Sequence, residues 1–259
     1  MGTWLNAFRG FADWWIIYLD IVEKLGIDPK WDRLATEIAY RIAYFSDPPL
    51  ETLKSLIIGQ RVVVFGAGHN LENHINMVVR SPKWRKAVFI AADGASKALL
   101  ENGLEPHIVV TDLDGDLKYI WRSVEEGSIP VVHVHGDNID VVTRFLYEIV
   151  KSGRRFVVTT QIEPMYPIMN FGGFTDGDRA FAIAVLFNAY EILLAGMDFG
   201  DIVGRYSKPW LKTHEKASPR KKIKLDIAYE IVSMLSCEAR SKIYTLSDTA
   251  PRCVSKISL

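Results

Sequence analysis

Six short apolar runs between Arg61 and Asp198 constrain the fold of this 259-residue chain more than any other feature. The runs are RVVVFG, AVFIAAD, HIVVTD, PVVHVHGD, RFVVTTQ and EILLAGMD, and segments with helical spacing separate them. Strands that are apolar at nearly every position are buried on both faces, as in parallel sheets covered by helices. The sequence therefore predicts an α/β fold with a mostly parallel sheet flanked by helices.

The segments on either side of this core carry different patterns. Residues 1–57 have apolar residues at helical spacing, broken near Pro29 and at Pro48-Pro49, because proline prevents helix continuation. We expect them to form a helical N-terminal cap on an α/β catalytic core of residues 58–204.

Residues 205–259 are expected to complete that core. The basic stretch KTHEKASPRKKIK predicts an exposed loop, followed by a helix from Leu225 to Leu235 and a last strand from Ile243 to Leu246. The lysines of 216–224 are typical of a solvated face, and the alternative is that they close over the tail of a bound nucleotide.

Charge and hydropathy exclude several classes of protein. Lys and Arg number 31 and Asp and Glu also number 31, so no net field favours nucleic acid or an anionic membrane as a partner. Near the N-terminus the longest apolar run is Trp14–Leu19, which is too short for a membrane span or a signal peptide. We therefore expect a cytoplasmic protein, whose assembly into a homo-oligomer the sequence leaves open.

The two cysteines, Cys237 and Cys253, have neither metal-ligand spacing nor a secretory context. Disulfides are rare in most cytosolic proteins. No disulfide is therefore expected.

Polar residues follow nearly every expected strand, and the carboxyl ends of parallel strands meet at one edge, where ligands bind. Asp112 and Asp114 are two residues apart, so in an extended chain both point to one side and can hold one cation. Mg²⁺ prefers one or two carboxylates together with phosphate oxygens and water. The pattern predicts a magnesium–nucleotide site. The alternative for each single Asp is a helix N-cap, above all for Asp137 and Asp176.

Two glycines, Gly66 and Gly68, follow the first expected strand. Their backbone N–H groups are suited to a phosphate at a helix N-terminus, but Leu71 occupies the third glycine position of a dinucleotide fingerprint. A purely structural turn is the alternative.

The segment NFGGFTDGDR, residues 170–179, combines a glycine pair with Asp176, Asp178 and Arg179. It predicts a mobile loop over a pocket with an arginine that meets phosphate charge, and a capped turn with a surface ion pair is the alternative. His133 and His135 alternate on a strand, so a zinc site is a further alternative. The favoured interpretation packs His133 in the body of the protein and puts His135 at the edge of the site.

The motifs GAGHNLE, AADGA, EPHIVVTDLDG, HVHGDN, TTQ and NFGGFTDGDRA occur in this order between about Val62 and Gly200. In this combination the chain resembles the archaeal 6-hydroxymethyl-7,8-dihydropterin pyrophosphokinase family. AADGA followed by PHIVVTDLDG is also distantly similar to thiamin pyrophosphokinases, in which the aspartates hold Mg²⁺ and the diphosphate donor. One departure is His69-Asn70, where the pterin family usually has Pro-Ser.

The resemblance implies an enzyme that transfers diphosphate from ATP to the hydroxymethyl group of 6-hydroxymethyl-7,8-dihydropterin and releases AMP, in the biosynthesis of folate or tetrahydromethanopterin. It also implies that Asp112, Asp114 and Asp137 are the metal ligands, with Asp93 nearby. A nucleotide-sugar-dependent glycosyltransferase and a non-catalytic nucleotide sensor are the alternatives.

The expected site contains two groups of residues. The catalytic residues are Asp112, Asp114 and Arg179. The residues expected to bind ATP are Gly66, Gly68, Asp93, Gly94, Asn138, Thr160, Gln161, Gly173, Asp176 and Asp178.

Overall fold

The computed structural model describes residues 11–259, so the part of the expected N-terminal cap that falls on residues 1–10 lies outside it. Three helices come first: α1 (Phe11–Leu25), α2 (Pro29–Ala43) and α3 (Leu50–Ile57). The breaks between these helices lie near Pro29 and at Pro48-Pro49, as the sequence predicts. Asp28 caps α2, since its side chain accepts a hydrogen bond from the Lys30 N–H at 3.0 Å, and Pro29 occupies the first turn.

The core is one nine-stranded sheet in which every neighbouring pair is parallel. Its strands are β1 (Arg61–Phe65), β2 (Val88–Ala92), β3 (Ile108–Thr111), β4 (Ile129–His133), β5 (Val157–Thr159), β6 (Ile168–Met169), β7 (Glu191–Ala195), β10 (Lys242–Thr245) and β11 (Ser255–Lys256). Two further strands, β8 (Ile202–Val203) and β9 (Glu215–Lys216), form a separate antiparallel pair. Each apolar run contains a strand, so the predicted α/β fold class is confirmed.

Helices cover both faces of the sheet. The remaining helices are α4 (Leu71–Arg80), α5 (Ala95–Glu101), α6 (Leu117–Glu125), α7 (Ile139–Ser152), α8 (Asp176–Leu186) and α9 (Pro219–Glu238). Successive residues of β1 are fully buried on opposite faces: Val62 and Val64 pack in one core with α8 and α9, and Val63 and Phe65 pack in another with α4 and α5.

Across the sheet the strands are ordered β11-β10-β7-β1-β2-β3-β4-β5-β6. All of them run parallel, but the side on which the chain adds new strands changes at β1. The chain places β2 to β6 on one side of β1 and then returns to place β7 on the other side. Such a switch point leaves a crevice at the carboxyl ends of the two strands, where ligands bind in open α/β sheets.

The start of α9 differs from the sequence prediction. The helix begins at Pro219, inside the stretch expected to be an exposed loop, because Ser218 caps it by accepting a hydrogen bond from the Lys221 N–H at 3.2 Å. Proline in the first helical turn adds to this start signal. Lys221, Lys222 and Lys224 therefore lie on a helix.

The two cysteines form a disulfide, so the expectation that they would not was wrong. Cys237, near the end of α9, and Cys253, shortly before β11, have Cα atoms 5.1 Å apart. Their separation of 16 residues gives no indication of this contact, because it arises only when the loop between β10 and β11 packs on α9, where the Arg252 N–H donates to the Ser233 hydroxyl at 3.1 Å. The bond tethers the C-terminal edge strand to α9.

None of the helices in residues 11–259 is long and apolar enough to cross a membrane.

The N-terminal helices are tied to the sheet by Asp32, a buried carboxylate on α2. One oxygen accepts hydrogen bonds from the Tyr18 hydroxyl and from Nε2 of Gln161, each at 2.6 Å, and the other accepts from the Gly136 N–H at 2.7 Å. Asp32 thus joins α1 and α2 to the loops that follow β4 and β5. These helices form a wall of the core's ligand-binding edge.

Asp32→Ala should lower the free energy of unfolding by about 3 kcal/mol or more, because it leaves two buried donors and the half-buried Gly136 N–H without an acceptor. Urea denaturation measures the change. Tyr18→Phe is the matched control, since it removes one donor and should cost about 1 kcal/mol. Equal losses in the two variants would contradict the role of Asp32.

Candidate active site

The carboxyl ends of β7 and of β1 to β5 surround a cavity of about 460 Å³, here called the strand-end cavity. Residues 26–32 of the N-terminal region and the first turns of α9 also line it. Its size is in the range of small-molecule binding sites. The residues that follow the strands do converge on one edge.

Three carboxylates, here called the carboxylate cluster, lie on the floor of this cavity. Asp93, Asp112 and Asp114 each offer an oxygen, and these atoms lie within 4.8 Å of one another. Asp137 also lines the cavity but lies outside this cluster, whereas Asp93, which the resemblance put only nearby, lies within it.

Local backbone conformation builds the cluster. Leu113, between Asp112 and Asp114, has φ +66°, so the pair lies on a tight turn after β3 and not in the extended chain that the sequence suggested. The Thr111 hydroxyl accepts from the Leu113 N–H at 2.8 Å and donates to Asp93 at 2.5 Å. Gly115 packs directly against the Asp93 carboxylate, where a Cβ has no room.

The acidic groups perturb one another. Burial and the charges of Asp112 and Asp114 raise the pKa of Asp93 to about 7. Burial and the same cluster raise the pKa of Asp176, at the start of α8, well above its ordinary value. Although burial opposes it, the contact with His135, whose Nε2 lies 3.5 Å from the carboxylate, and the charge of Lys208 lower the pKa of Asp112. A divalent cation would relieve this repulsion, and oxygen ligands suit Mg²⁺.

A basic wall faces the cluster. Lys208 is ion-paired with Asp114, and Arg220, Lys221 and Lys224 of α9 line the cavity. Burial and the neighbouring charges of Lys208 and Lys224 lower the pKa of Lys221. These ammonium groups therefore lie close enough to repel one another, and a polyphosphate is a suitable counterion for them.

The glycine turn after β1 serves close packing. A Cβ at Gly66 would lie 2.7 Å from the Gly196 carbonyl oxygen, and one at Gly68 would collide with the Asp198 carboxylate. The Gly66 and Gly68 N–H groups donate to the carbonyls of Ala195 and Gly196, at 2.9 and 2.8 Å. These two N–H groups are engaged within the protein, and the turn gives the cavity its shape.

The His69-Asn70 departure from the family pattern contacts Asp198, a buried residue after β7. Asp198 accepts from the Asn70 N–H at 2.9 Å and from the Ser247 hydroxyl at 2.8 Å, and Nδ1 of His69 lies 3.3 Å from it. Asp198 therefore joins the turns after β1, β7 and β10.

The 170–179 segment is a capped turn, as the alternative interpretation had it, but Asp178 and Arg179 are buried and form no surface ion pair with any residue that the structure describes. Asp178 accepts from the N–H groups of Phe174 and Thr175 in a capping box at the start of α8. Arg179 is fully buried and donates to the carbonyls of Gly172 and Phe174, at 3.2 and 3.3 Å. Gly173, with φ +82°, packs against the Arg179 backbone. Arg179 and Asp178 thus hold the loop from inside, while Asp176 faces the cavity.

The other expected site residues are divided between the cavity wall and its support. Gly94 and Gln161 line the cavity. Asn138 is buried and donates to the carbonyls of Asp112 and His133, at 2.9 and 2.8 Å. The Thr160 hydroxyl is buried against that of Thr36, at 2.7 Å. Asn138 and Thr160 therefore position the loops that carry the cavity residues.

The sequence interpretation missed several residues of the cavity. They are Trp31, Asp32, Asp198 and Lys208. Asp198 ends a strand run as the other candidates do, so the same rule would have found it. Lys208 precedes the basic stretch, whereas nothing in the local sequence distinguishes Trp31 or Asp32.

Asp93→Asn should raise the free energy of unfolding of the metal-free protein by about 1–3 kcal/mol at pH 8, because it removes a buried charge from the cluster. Asn tolerates the φ of +43° at this position. The carboxyl has its ordinary pKa of 3.8 in the unfolded chain and a pKa of about 7 in the folded protein. The free energy of unfolding of the wild type therefore falls as the pH rises between these two values, whereas that of Asp93→Asn does not fall for this reason.

Denaturation with and without Mg²⁺ measures both effects. Mg²⁺ should stabilise the wild type and have little effect on Asp93→Asn. Asp116→Asn is the control, since Asp116 caps α6 in the same loop region and Asn is an equally good cap. A destabilised Asp93→Asn that still responds fully to Mg²⁺ would overturn the assignment.

Comparison with known proteins identifies the family. Residues 37–204 match the family model described as 6-hydroxymethylpterin diphosphokinase MptE-like. Relatives named 6-hydroxymethyl-7,8-dihydropterin pyrophosphokinase include one from Pyrococcus furiosus, 40% identical over 92% of this chain and 99% of its own length. Those from Methanocaldococcus jannaschii and Methanothermobacter thermautotrophicus are 37% and 35% identical, each over 86% of this chain and over 94% and 93% of their own lengths.

A solved structure, that of MAf glycosyltransferase from Magnetospirillum magneticum AMB-1, matches with a TM-score of 0.53 and 16% identity. The match covers 78% of this chain and 34% of that chain, so it shows a shared fold alone. The family model and the three relatives carry the assignment: the chain belongs to the MptE-like 6-hydroxymethylpterin diphosphokinase family.

Proposed function

We propose that the chain transfers a diphosphate group from ATP to the hydroxymethyl oxygen of 6-hydroxymethyl-7,8-dihydropterin and releases AMP. Its relatives bear the name of that pyrophosphokinase. The observation that carries the proposal in this chain is the carboxylate cluster facing the basic wall across one cavity.

The chemistry requires placement and charge neutralisation more than covalent catalysis. The acceptor hydroxyl oxygen attacks the β-phosphorus of ATP, the bond from that phosphorus to the oxygen of the α-phosphate breaks, and AMP leaves with the bond's electron pair. The hydroxyl proton is lost to solvent or to a nearby carboxylate. Asp93, Asp112 and Asp114 would hold Mg²⁺, which supplies positive charge to the phosphate oxygens when it is bound.

The basic wall supports the donor end of this reaction. Three lysines line the cavity: Lys208, Lys221 and Lys224. Burial and the charges of Lys208 and Lys224 lower the pKa of Lys221, and the carboxylate cluster, although burial opposes it, raises the pKa of Lys208. We assign them to the triphosphate, because charge-assisted hydrogen bonds to phosphate oxygens are strong in a partly buried site. Cation and ammonium groups together would balance the charge that moves toward AMP during transfer.

We also propose the cytoplasm as the compartment, since ATP is the donor. The disulfide is compatible with that compartment in hyperthermophiles, whose intracellular proteins are rich in disulfides. A homo-oligomer stays a prediction.

The protein incubated with ATP, Mg²⁺ and the reduced pterin should form AMP and pterin diphosphate in equal amounts. Asp112→Asn and Asp114→Asn should each reduce AMP release by about 100-fold or more, because the cluster loses a ligand. Asp116→Asn is again the control and should remain active.

Chromatography of the products measures the reaction. Near-normal activity in both cluster variants would contradict the metal assignment. A wild type that binds ATP without releasing AMP would overturn the enzymatic function and favour a nucleotide sensor.

Lys221→Gln and Lys224→Gln should raise the KM for ATP about tenfold and leave the KM for the pterin within twofold, because each removes a charge on the phosphates. Lys222→Gln is a matched control on the same helix, since Lys222 pairs with Asp201 and Asp226 instead of lining the cavity. Steady-state kinetics with each substrate varied gives the comparison. An equal rise of the ATP KM in all three variants would contradict a specific phosphate contact.

A further inference from the structure

The carboxylate cluster follows β2 and β3, which lie in the sheet between the pair β7–β1 and the pair β4–β5, so the residues that line the cavity fall into two groups, here called halves. The β7–β1 half is lined by Gly66, Gly68, Gly196, Met197 and Asp198, at the switch point of the sheet. The β4–β5 half is lined by Trp31, His133, Gly136, Asp137 and Gln161. A diphosphoryl transfer needs donor and acceptor on opposite sides of the bound phosphates, so each half is available for one substrate.

His133, in the β4–β5 half, has a hydrogen-bonding atom without a partner. Its side chain is 2% exposed, and Nε2 makes no hydrogen bond to any described residue. Burial, the charge of Arg179 and that of His135 hold its pKa well below the ordinary value, so the ring is neutral.

The other ring nitrogen has a partner within the protein. Nδ1 lies 3.2 Å from the Thr159 hydroxyl oxygen, so Nε2 is the ring atom left for a ligand. A buried polar atom left unpaired costs about 1–3 kcal/mol, which indicates that a ligand supplies the missing hydrogen bond.

Trp31 provides a flat surface in the same half. It lines the cavity although 57% of it is exposed, and it sits against Gly136, where an added Cβ would lie 2.5 Å from the Trp31 Cβ. The neighbouring Asp32 accepts from the Gly136 N–H, so the two backbones are fixed together. The base of the Trp31 side chain is thus fixed beside the cavity while more than half of the side chain stays exposed, which leaves indole surface open to stack on an aromatic ligand.

We infer that the β4–β5 half is the acceptor subsite, in which Trp31 stacks on the pterin ring and Nε2 of His133 forms a hydrogen bond with one of its polar groups. This inference rests on the proposed function. A pterin has N–H and O–H donors and carbonyl and ring-nitrogen acceptors, so it supplies the partner that Nε2 lacks in either tautomer. The β7–β1 half, where the strand order reverses, then takes the nucleoside of ATP.

Trp31→Ala should raise the KM for the reduced pterin at least tenfold and leave the KM for ATP within twofold, with Trp31→Phe intermediate. Trp210→Ala is the matched control, because Trp210 is 71% exposed but lies outside the cavity lining. His133→Phe keeps a ring but removes the polar atom, and it should raise the pterin KM, whereas His133→Gln, which retains both a donor and an acceptor, should restore part of the affinity.

A second measurement does not depend on turnover. Oxidised 6-hydroxymethylpterin is fluorescent, and its titration with the full-length protein should show binding that Trp31→Ala weakens at least tenfold and Trp210→Ala leaves unchanged. Thermal unfolding of each variant verifies that it is folded.

The outcomes separate the two proposals. A wild type that binds pterin but forms no AMP refutes the proposed function, and loss of that binding in Trp31→Ala still supports the subsite. A raised ATP KM with an unchanged pterin KM in Trp31→Ala would show that this half holds the nucleotide and overturn the inference. Unchanged pterin KM and binding in both Trp31→Ala and His133→Phe would also overturn it.

Discussion

The burial and mutual repulsion of the carboxylates at the ends of β2 and β3 are the constraint on which this active site depends. Asp93 is buried beside Asp112 and Asp114, and burial together with those two charges raises its pKa to about 7. The chain nevertheless builds the arrangement with a left-handed residue at Leu113 and a hydrogen bond from Thr111. Local stability is given up where we propose that a cation and a polyphosphate bind.

The groups around the cluster offset part of that repulsion, and bound ligands would offset the rest. Lys208 pairs with Asp114, and His135 contacts Asp112, yet Asp93 has no cationic partner of its own among its described contacts. On the far side, Asp32 holds the N-terminal helices against the loops after β4 and β5. Those helices thereby place Trp31 at the cavity, so a segment remote in sequence completes the site.

The sequence was most informative where the physics is local. Buried strands need apolar residues on both faces, and parallel strands bring their carboxyl ends together, so the sheet and the gathering of Asp93, Asp112 and Asp114 could be predicted. Spacing alone could not separate Asp93 from Asp137, since only the turns that follow each strand decide where a side chain points. Arg179 is charged, and a charged residue near a glycine loop suggests a phosphate contact, but burial made it a support for the loop. Trp31, Asp32 and the disulfide depend on long-range packing, for which one sequence holds no local signal.

The most direct test of the account is a crystal structure with Mn²⁺ and a non-hydrolysable ATP analogue, in which anomalous scattering locates the metal. We expect one strong peak, from a metal ion that is bound by oxygens of Asp93, Asp112 and Asp114 and also by phosphate oxygens of the analogue. Lys221 and Lys224 should contact those phosphates. A metal bound away from these three carboxylates, or phosphates that do not reach it, would contradict the account.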